Sequence, residues 1–143
     1  MTFWPGSLVA WKCHGGHAKF CQYDMRVLIA DDQKSVGTSL AELVRLCQHE
    51  VVEVVGSGLE AIHAYNRHHP DVVLMDYNMP KFNGAVACRN IVAKHPAARV
   101  ILVSGSPQEI ADSGAVAMLL KPIHLDQLYA ALYDAARPSA PET

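Results

Sequence analysis

Five polar side chains of this sequence each follow a short run of aliphatic residues. They are Asp31, Asp32, Asp76, Ser104 and Lys121. If the aliphatic runs are parallel strands, their carboxyl ends lie at one edge of a sheet, which is where ligands bind in open α/β folds. Three carboxylates, a hydroxyl and an ammonium would then converge from distant parts of the chain.

These groups suit phosphoryl chemistry. Carboxylate oxygens at a site open to water favour Mg²⁺, which usually keeps several waters and takes one or two carboxylates with a phosphate oxygen. A cation also reduces the repulsion among three carboxylates. With the ion bound, Asp76 could attack phosphorus, while Lys121 and the Ser104 hydroxyl stabilise charge on the transferring group.

Each residue alone also has an ordinary structural interpretation. Asp32 could help begin the helix that follows it. Asp76 could open the turn at 77–80, and Lys121 before Pro122 could lie in a solvated turn. The occurrence of all of them at successive strand ends favours a shared site.

The elements that would position these residues begin at Met25, where aliphatic runs start to alternate with helical patterns. This alternation predicts a parallel sheet covered by helices on both faces. The predicted strands are 26–30, 51–55, 71–75, 100–103 and 115–120. Two crossover helices are predicted from apolar faces, formed by Val36, Leu40, Leu43, Val44 and Cys47 in one and by Leu59, Ile62 and Tyr65 in the other. Two more helices are predicted at about 84–94 and 125–136.

A chain of 143 residues predicts one domain, which we assign to residues 25–137. Residues 1–24 break the pattern and form an N-terminal extension. It is either the product of a misassigned start or an arm that packs its tryptophans on the domain or on a partner. Residues 138–143 are a tail or the stub of a linker.

The composition narrows the class of protein. Hydrophobic residues make up 50% and charged residues 18%, which predicts a globular fold. The net charge of −2 and the lack of a long basic run disfavour direct nucleic-acid binding. No apolar stretch approaches the ~18 residues that span a bilayer. We expect a cytoplasmic protein without a membrane partner, whose four cysteines are reduced.

The chain resembles the receiver domain of two-component response regulators. The resemblance covers about residues 25–137, and the matching segments are 27–32, 71–80, 83–84, 100–105, 114–115 and 121–122. It implies a flavodoxin-like, doubly wound α/β fold with a five-stranded parallel sheet in the order 2-1-3-4-5. It also implies a signalling domain that takes a phosphoryl group and loses it by hydrolysis, rather than an enzyme acting on a separate substrate.

The resemblance implies a role for each site residue. Asp76 is the phosphoacceptor and, together with Asp31 and Asp32, binds Mg²⁺ or alternatively Mn²⁺, to which Asn78 adds its backbone carbonyl. The phosphoryl group is contacted by Ser104 and Lys121. The implied donor is a histidine kinase or a histidine phosphotransfer protein; the output partner is unknown, and a homodimer is left open.

The sequence departs from this family in the region that usually carries the output. Only nine residues, 105–113, separate Ser104 from Gly114, which predicts a short or missing fourth helix. The family usually has an aromatic residue where this chain has Met118, so a ring-flipping switch cannot operate unchanged. We expect a switch that uses Ser104 and Met118, with phosphorylation ordering the loop 104–113. The resemblance also predicts a cis bond between Lys121 and Pro122.

Three other hypotheses fit the residues less well. A phosphatase with an aspartate nucleophile would use similar groups, but it has a second aspartate two positions after the nucleophile, where this chain has Asn78. A pseudo-receiver that only binds proteins is disfavoured because every acidic and phosphate-contacting position is filled. A zinc site in the extension is not expected, since no common zinc pattern matches the spacing of Cys13, His14, His17 and Cys21.

Overall fold

The structure, a computed structural model, describes residues 25–79, 82–107 and 113–136. The described elements are β1 (Arg26–Ala30), α1 (Lys34–Leu46), β2 (Glu50–Val55), α2 (Gly58–His68), β3 (Val72–Asp76), α3 (Gly84–Lys94), β4 (Val100–Ser104), β5 (Ala117–Leu120) and α4 (Leu125–Ala136). The extension 1–24 and the tail 138–143 lie outside the described residues, so the domain limits stay predictions.

The five strands form one parallel sheet in the order β2-β1-β3-β4-β5. The fold class and strand order predicted above are therefore confirmed. β3 and β4 are buried along their whole length and β1 along all but its first residue. Burial on both faces explains why these strands appear in the sequence as continuous aliphatic runs rather than as alternating patterns.

Each face of the sheet has its own core, because successive side chains of a strand point to opposite sides. Leu28 and Ala30 of β1 pack with residues of α2 and α3. Val27 and Ile29 pack on the other face with residues of α1 and α4. The helices on both faces therefore enclose the central strands, whose carboxyl ends carry the polar residues.

The apolar face predicted for α2 is wrong at Leu59, which is 41% exposed. Tyr65 packs in the core as predicted, and Ala61 and Ala64 are buried there with it. At 3.6 residues per turn, Leu59 and Ala61 lie on nearly opposite sides of a helix. Small alanine side chains let α2 approach the sheet closely, which a search for large apolar residues cannot detect.

Backbone hydrogen bonds align the carboxyl ends of neighbouring strands. Tyr77, directly after β3, donates its N–H to the carbonyl of Val103 at 2.7 Å. Lys121, directly after β5, donates its N–H to the carbonyl of Ser104 at 2.8 Å. These bonds continue the sheet past its last paired residues and so fix where the side chains of the strand ends project.

The connection between β4 and β5 runs over residues 105–116. No helix lies in its described residues, which are 105–107 and 113–116. A connection of this length leaves room for a short helix only, once the loops that join it to the two strands are counted. The shortening of the fourth helix is therefore confirmed. The peptide bond between Lys121 and Pro122 is cis, as predicted.

Across the described ranges, no helix combines the length and the apolar character that crossing a membrane requires.

Candidate functional site

The three aspartates meet at the carboxyl edge of the sheet. Asp31 and Asp32 follow β1, and Asp76 is the last residue of β3, the neighbouring strand. One carboxylate oxygen from each residue lies within 4.8 Å of the others. Asp31 and Asp76 are buried, with exposures of 3% and 5%, whereas Asp32 is exposed. Among the described residues, no other group of three or more acidic, histidine or cysteine side chains approaches this closely.

Lys121 reaches the same cluster from the end of β5. Its Nζ atom lies 3.3 Å from Oδ1 of Asp76 and 3.6 Å from Oδ2 of Asp31. The lysine side chain is 27% exposed, so its ammonium lies at the boundary between the buried carboxylates and solvent. The side chain therefore places a positive charge beside both buried carboxylates.

The two oxygens of Asp31 have different surroundings. Oδ1 accepts a hydrogen bond from the backbone N–H of Gln33 at 2.9 Å. Oδ2 is buried and has no hydrogen-bond partner within the described part of the chain. A buried carboxylate oxygen without a donor is costly, by about 1–3 kcal/mol or more. This oxygen, beside two further carboxylates, is therefore suited to a hard divalent cation such as Mg²⁺.

The electrostatics of Asp76 follow from its burial. Desolvation raises the pKa of the Asp76 carboxyl, and the nearby charge of Asp31 raises it further. Lys121 and the backbone N–H of Asn78 lower the same pKa, but the net direction is upward. The ionised form of Asp76 therefore destabilises the folded protein, and a cation beside the carboxylate would reduce this effect.

Ser104 ends β4, the strand next to β3, and its side chain is fully buried. Its hydroxyl donates a hydrogen bond to the carbonyl of Ser106 at 2.8 Å and accepts one from the N–H of Ser106 at 3.2 Å. The hydroxyl is therefore engaged by its own loop. Met118 lies in β5 and packs, partly buried, against the core on the side of α2 and α3.

Gly84 is a residue of the site that reasoning from side-chain chemistry missed. A Cβ atom at this position would lie 2.2 Å from the carbonyl oxygen of Asp76 and 2.9 Å from the Cα of Tyr77. Its N–H donates to the carbonyl of Tyr77 at 2.7 Å. The start of α3 thus packs directly on the end of β3, and only glycine leaves room for it. Asn83 caps the same helix by accepting from the N–H of Val86 at 2.9 Å.

Two cysteines of the described residues lie in the cores on the two faces of the sheet rather than at the carboxylate cluster. Cys47 and Cys88 are buried free thiols, and burial raises the pKa of both, that of Cys88 to about 11. Such thiols are unreactive at neutral pH. The cysteines and histidines considered for zinc lie in 1–24, outside the described residues.

Comparisons with known proteins agree with this arrangement. Residues 27–133 match the family described as response regulator receiver domain. The chain is 37% identical over 111 residues to the transcriptional regulatory protein PdtaR of Mycobacterium tuberculosis, covering 75% of this chain and 54% of that protein. It therefore spans about half the length of that relative. It is 35% identical over 118 residues to the chemotaxis protein CheY of Listeria monocytogenes, covering 79% of this chain and 99% of CheY.

Solved structures share the fold. The receiver domain of the response regulator NarL from Mycobacterium tuberculosis aligns with a TM-score of 0.76 and 26% identity, covering 82% of this chain and 100% of that chain. CheY from Borrelia burgdorferi, in a complex with CheX, BeF3 and Mg, aligns with a TM-score of 0.73 and 26% identity, covering 76% of this chain and 87% of that chain. The fold, the acidic cluster and the family match agree, and the chain belongs to the family of response regulator receiver domains of two-component signalling.

Proposed function

We propose that this chain accepts a phosphoryl group on Asp76 from a phosphohistidine donor, either a histidine kinase or a histidine phosphotransfer protein. The observation that carries the proposal is the pairing of Asp76, buried and ionisable, with the Lys121 ammonium and the Asp31 carboxylate. A carboxylate in such a position can act as a nucleophile only where positive charge offsets the approach of an anionic phosphoryl group.

In the proposed transfer, an oxygen of Asp76 forms a bond to phosphorus as the bond between phosphorus and the donor's imidazole nitrogen breaks. The imidazole leaves with the electron pair and takes up a proton. Lys121, already 3.3 Å from the Asp76 carboxylate, contacts a phosphoryl oxygen, and the Ser104 hydroxyl donates to another. The Ser104 hydroxyl must give up its bond to the Ser106 carbonyl in order to do so.

The proposed cofactor is Mg²⁺, with Mn²⁺ as an alternative. Asp31, Asp32 and Asp76 would hold it through carboxylate oxygens, and Asn78 through its backbone carbonyl. Oδ2 of Asp31, which is buried and accepts no hydrogen bond from the described residues, supports this assignment. When bound, the ion neutralises charge on the phosphoryl oxygens as the group is transferred.

The same proposal covers partners and location. The chain is not an enzyme for a separate substrate, and its phosphorylated form passes a signal to an output protein. The named relatives act in transcriptional regulation and chemotaxis, which suggests the two kinds of output to test first. The proposed donor is itself phosphorylated from ATP, so we assign both proteins to the cytoplasm.

Intact-mass measurement tests the phosphoacceptor role. The protein is incubated with acetyl phosphate and Mg²⁺, and we expect the mass of one added phosphoryl group, removable by hydroxylamine as acyl phosphates are. Asp76→Asn abolishes the addition, whereas Asp126→Asn, at an exposed position of α4, leaves it intact. Phosphate addition that persists in Asp76→Asn would contradict the assignment. Rapid release of phosphate with no accumulating adduct would favour a phosphatase instead.

A further inference from the structure

Two histidines meet at the edge of the sheet opposite to the carboxylates. His69 ends α2 and His95 ends α3, each at the C-cap position of its helix. Their ring centroids are 5.8 Å apart, with the ring planes inclined by 81°. Tyr65 packs against both rings, at 4.8 Å from His95 and 6.1 Å from His69. We call Tyr65, Asn66, His69 and His95 the histidine cluster.

The spacing of the two rings is close to that of imidazoles sharing one metal ion. Zinc binds histidine nitrogen at about 2.0–2.1 Å, so two imidazoles on one tetrahedral ion have ring centres roughly 5 Å apart. The observed distance is 5.8 Å. Bringing a nitrogen of each ring to one ion thus requires rotation of the rings and their approach by less than about 1 Å.

Asn66 contacts a ring nitrogen of His95. Nε2 of His95 lies 3.1 Å from Oδ1 of Asn66. With the amide oxygen as acceptor, Nε2 carries the proton and the free lone pair of the ring is on Nδ1. Histidines that bind metals commonly donate their other ring N–H to an oxygen in this way, which orients the ring and fixes its tautomer. His68, by contrast, is bonded to Glu53 at 2.8 Å and is not part of the cluster.

The position of the cluster also favours a cation. The carboxyl ends of two helices carry partial negative charge, and both converge here. Arg26 already contacts the carbonyls of His68 and His69 at the end of α2, at 2.8 and 3.2 Å, which offsets part of this charge. Lys94 lies in the last turn of α3, but the hydrogen bonds of the described residues include none from its ammonium to the carbonyls at that helix end.

We propose that His69 and His95 bind one divalent transition-metal ion of the zinc class, with Nδ1 of His95 and one ring nitrogen of His69 as ligands and water in the remaining positions. Two imidazoles make a weaker site than the four ligands of a structural zinc centre. The ion would link the ends of α2 and α3. The proposal is independent of the phosphoacceptor role of Asp76.

Zinc titration calorimetry of the whole chain tests this site. Saturating Mg²⁺ competes with zinc at the carboxylate cluster, and in the parent protein alanine replaces the cysteines and histidines that precede residue 25, which are Cys13, His14, His17 and Cys21. We expect one zinc ion per chain. His95→Ala weakens binding at least tenfold, and His63→Ala, at an exposed position of α2, leaves it unchanged.

His69→Gly separates ligand loss from unfolding. His69 has a φ of 46°, in the left-handed region that glycine adopts without strain, so this variant should melt no lower than the parent without zinc. It should nevertheless bind zinc at least tenfold more weakly. Equal zinc affinity in the parent, His69→Gly and His95→Ala would overturn the proposal, as would a parent that binds no zinc.

Discussion

Lys121 Nζ lies 3.3 Å from Oδ1 of Asp76. The same ammonium lies 3.6 Å from Oδ2 of Asp31, so one positive charge is shared by two buried carboxylates. One charge cannot neutralise two, and the pKa of Asp76 is raised despite the lysine. The two carboxylates therefore retain an excess of negative charge, which a proton or a divalent cation would balance.

We expect Asp76→Asn to unfold at a higher temperature than the unaltered protein at pH 7 in the presence of a chelator. Because the pKa of Asp76 is raised in the folded protein, the folded state binds the proton of this carboxyl more tightly than the unfolded chain does. The contribution of the group to stability is then greatest at low pH and falls as the pH rises from the unfolded pKa through the folded pKa. The advantage of the variant should therefore shrink on acidification.

Thermal unfolding followed across the acid range measures this effect. Asp126→Asn, which removes an exposed carboxylate, is the matched control and should show little change. An advantage of Asp76→Asn that grows toward low pH would mean that Asp76 is stabilised, not destabilised, as an anion.

Mg²⁺ should stabilise the folded protein. A ligand that binds only the folded state adds about 2.7 kcal/mol when its free concentration is one hundred times the dissociation constant. We expect the melting temperature to rise with Mg²⁺ and Asp32→Ala to lose most of this rise. Asp32 is exposed, so its removal should leave the fold intact. A melting curve that does not respond to Mg²⁺ would argue against an assembled cation site.

Lys121→Ala should destabilise the protein when no divalent cation is present. Two buried carboxylates then lose their shared cation, and because the lysine is 27% exposed we expect a moderate cost of about 1–3 kcal/mol. Saturating Mg²⁺ should restore part of the lost free energy of unfolding. Phosphorylation of this variant by acetyl phosphate should be at least about tenfold slower than that of the unaltered protein. Lys34→Ala, at an exposed position of α1, is the control for loss of a lysine. Equal phosphorylation rates in the two variants would remove Lys121 from the mechanism.

The sequence predicted the fold well because its strongest signals are the continuous aliphatic runs of the buried strands. The run 26–30 coincides with β1, and the edge strand β5 is shorter than the run 115–120, since Val116 is exposed and lies outside the strand. An edge strand is buried less than a central one, so hydrophobicity alone does not mark where it begins.

Residue types also predicted which carboxylates meet, because strand ends at one edge of a parallel sheet are neighbours. Residue types could not predict where two backbone segments come into close contact, nor which group a hydroxyl is hydrogen-bonded to. The close approach of Gly84 to Asp76 and the bond between Ser104 and Ser106 are contacts of this kind. The histidine cluster was missed for a related reason, since it joins the ends of two helices that are distant in sequence.

Gly84→Ala tests the contact between α3 and the end of β3. The added methyl would lie 2.2 Å from the Asp76 carbonyl oxygen, so the backbone must shift. Overpacking of this kind costs typically about 1–3 kcal/mol, and here it also displaces the Asp76 side chain. We expect a lower melting temperature and slower phosphorylation. Gly105→Ala is the matched control, because an added Cβ there has nothing within 4 Å. The same phosphorylation rate in both variants would show that Asp76 is positioned independently of α3.

The hydroxyl of Ser104 connects the phosphorylation site to the loop that follows β4. It is bonded to the carbonyl and the N–H of Ser106, and a phosphoryl group on Asp76 would compete for it. With Met118 in place of a switching aromatic residue, we expect the response to appear as ordering of the loop 104–113. Hydrogen exchange with and without beryllofluoride, a phosphoryl mimic, should reveal slower exchange there and little change in α2. Ser104→Ala should lose most of the difference while still binding Mg²⁺. Slower hydrogen exchange confined to other elements would show that the response to phosphorylation does not involve the loop 104–113.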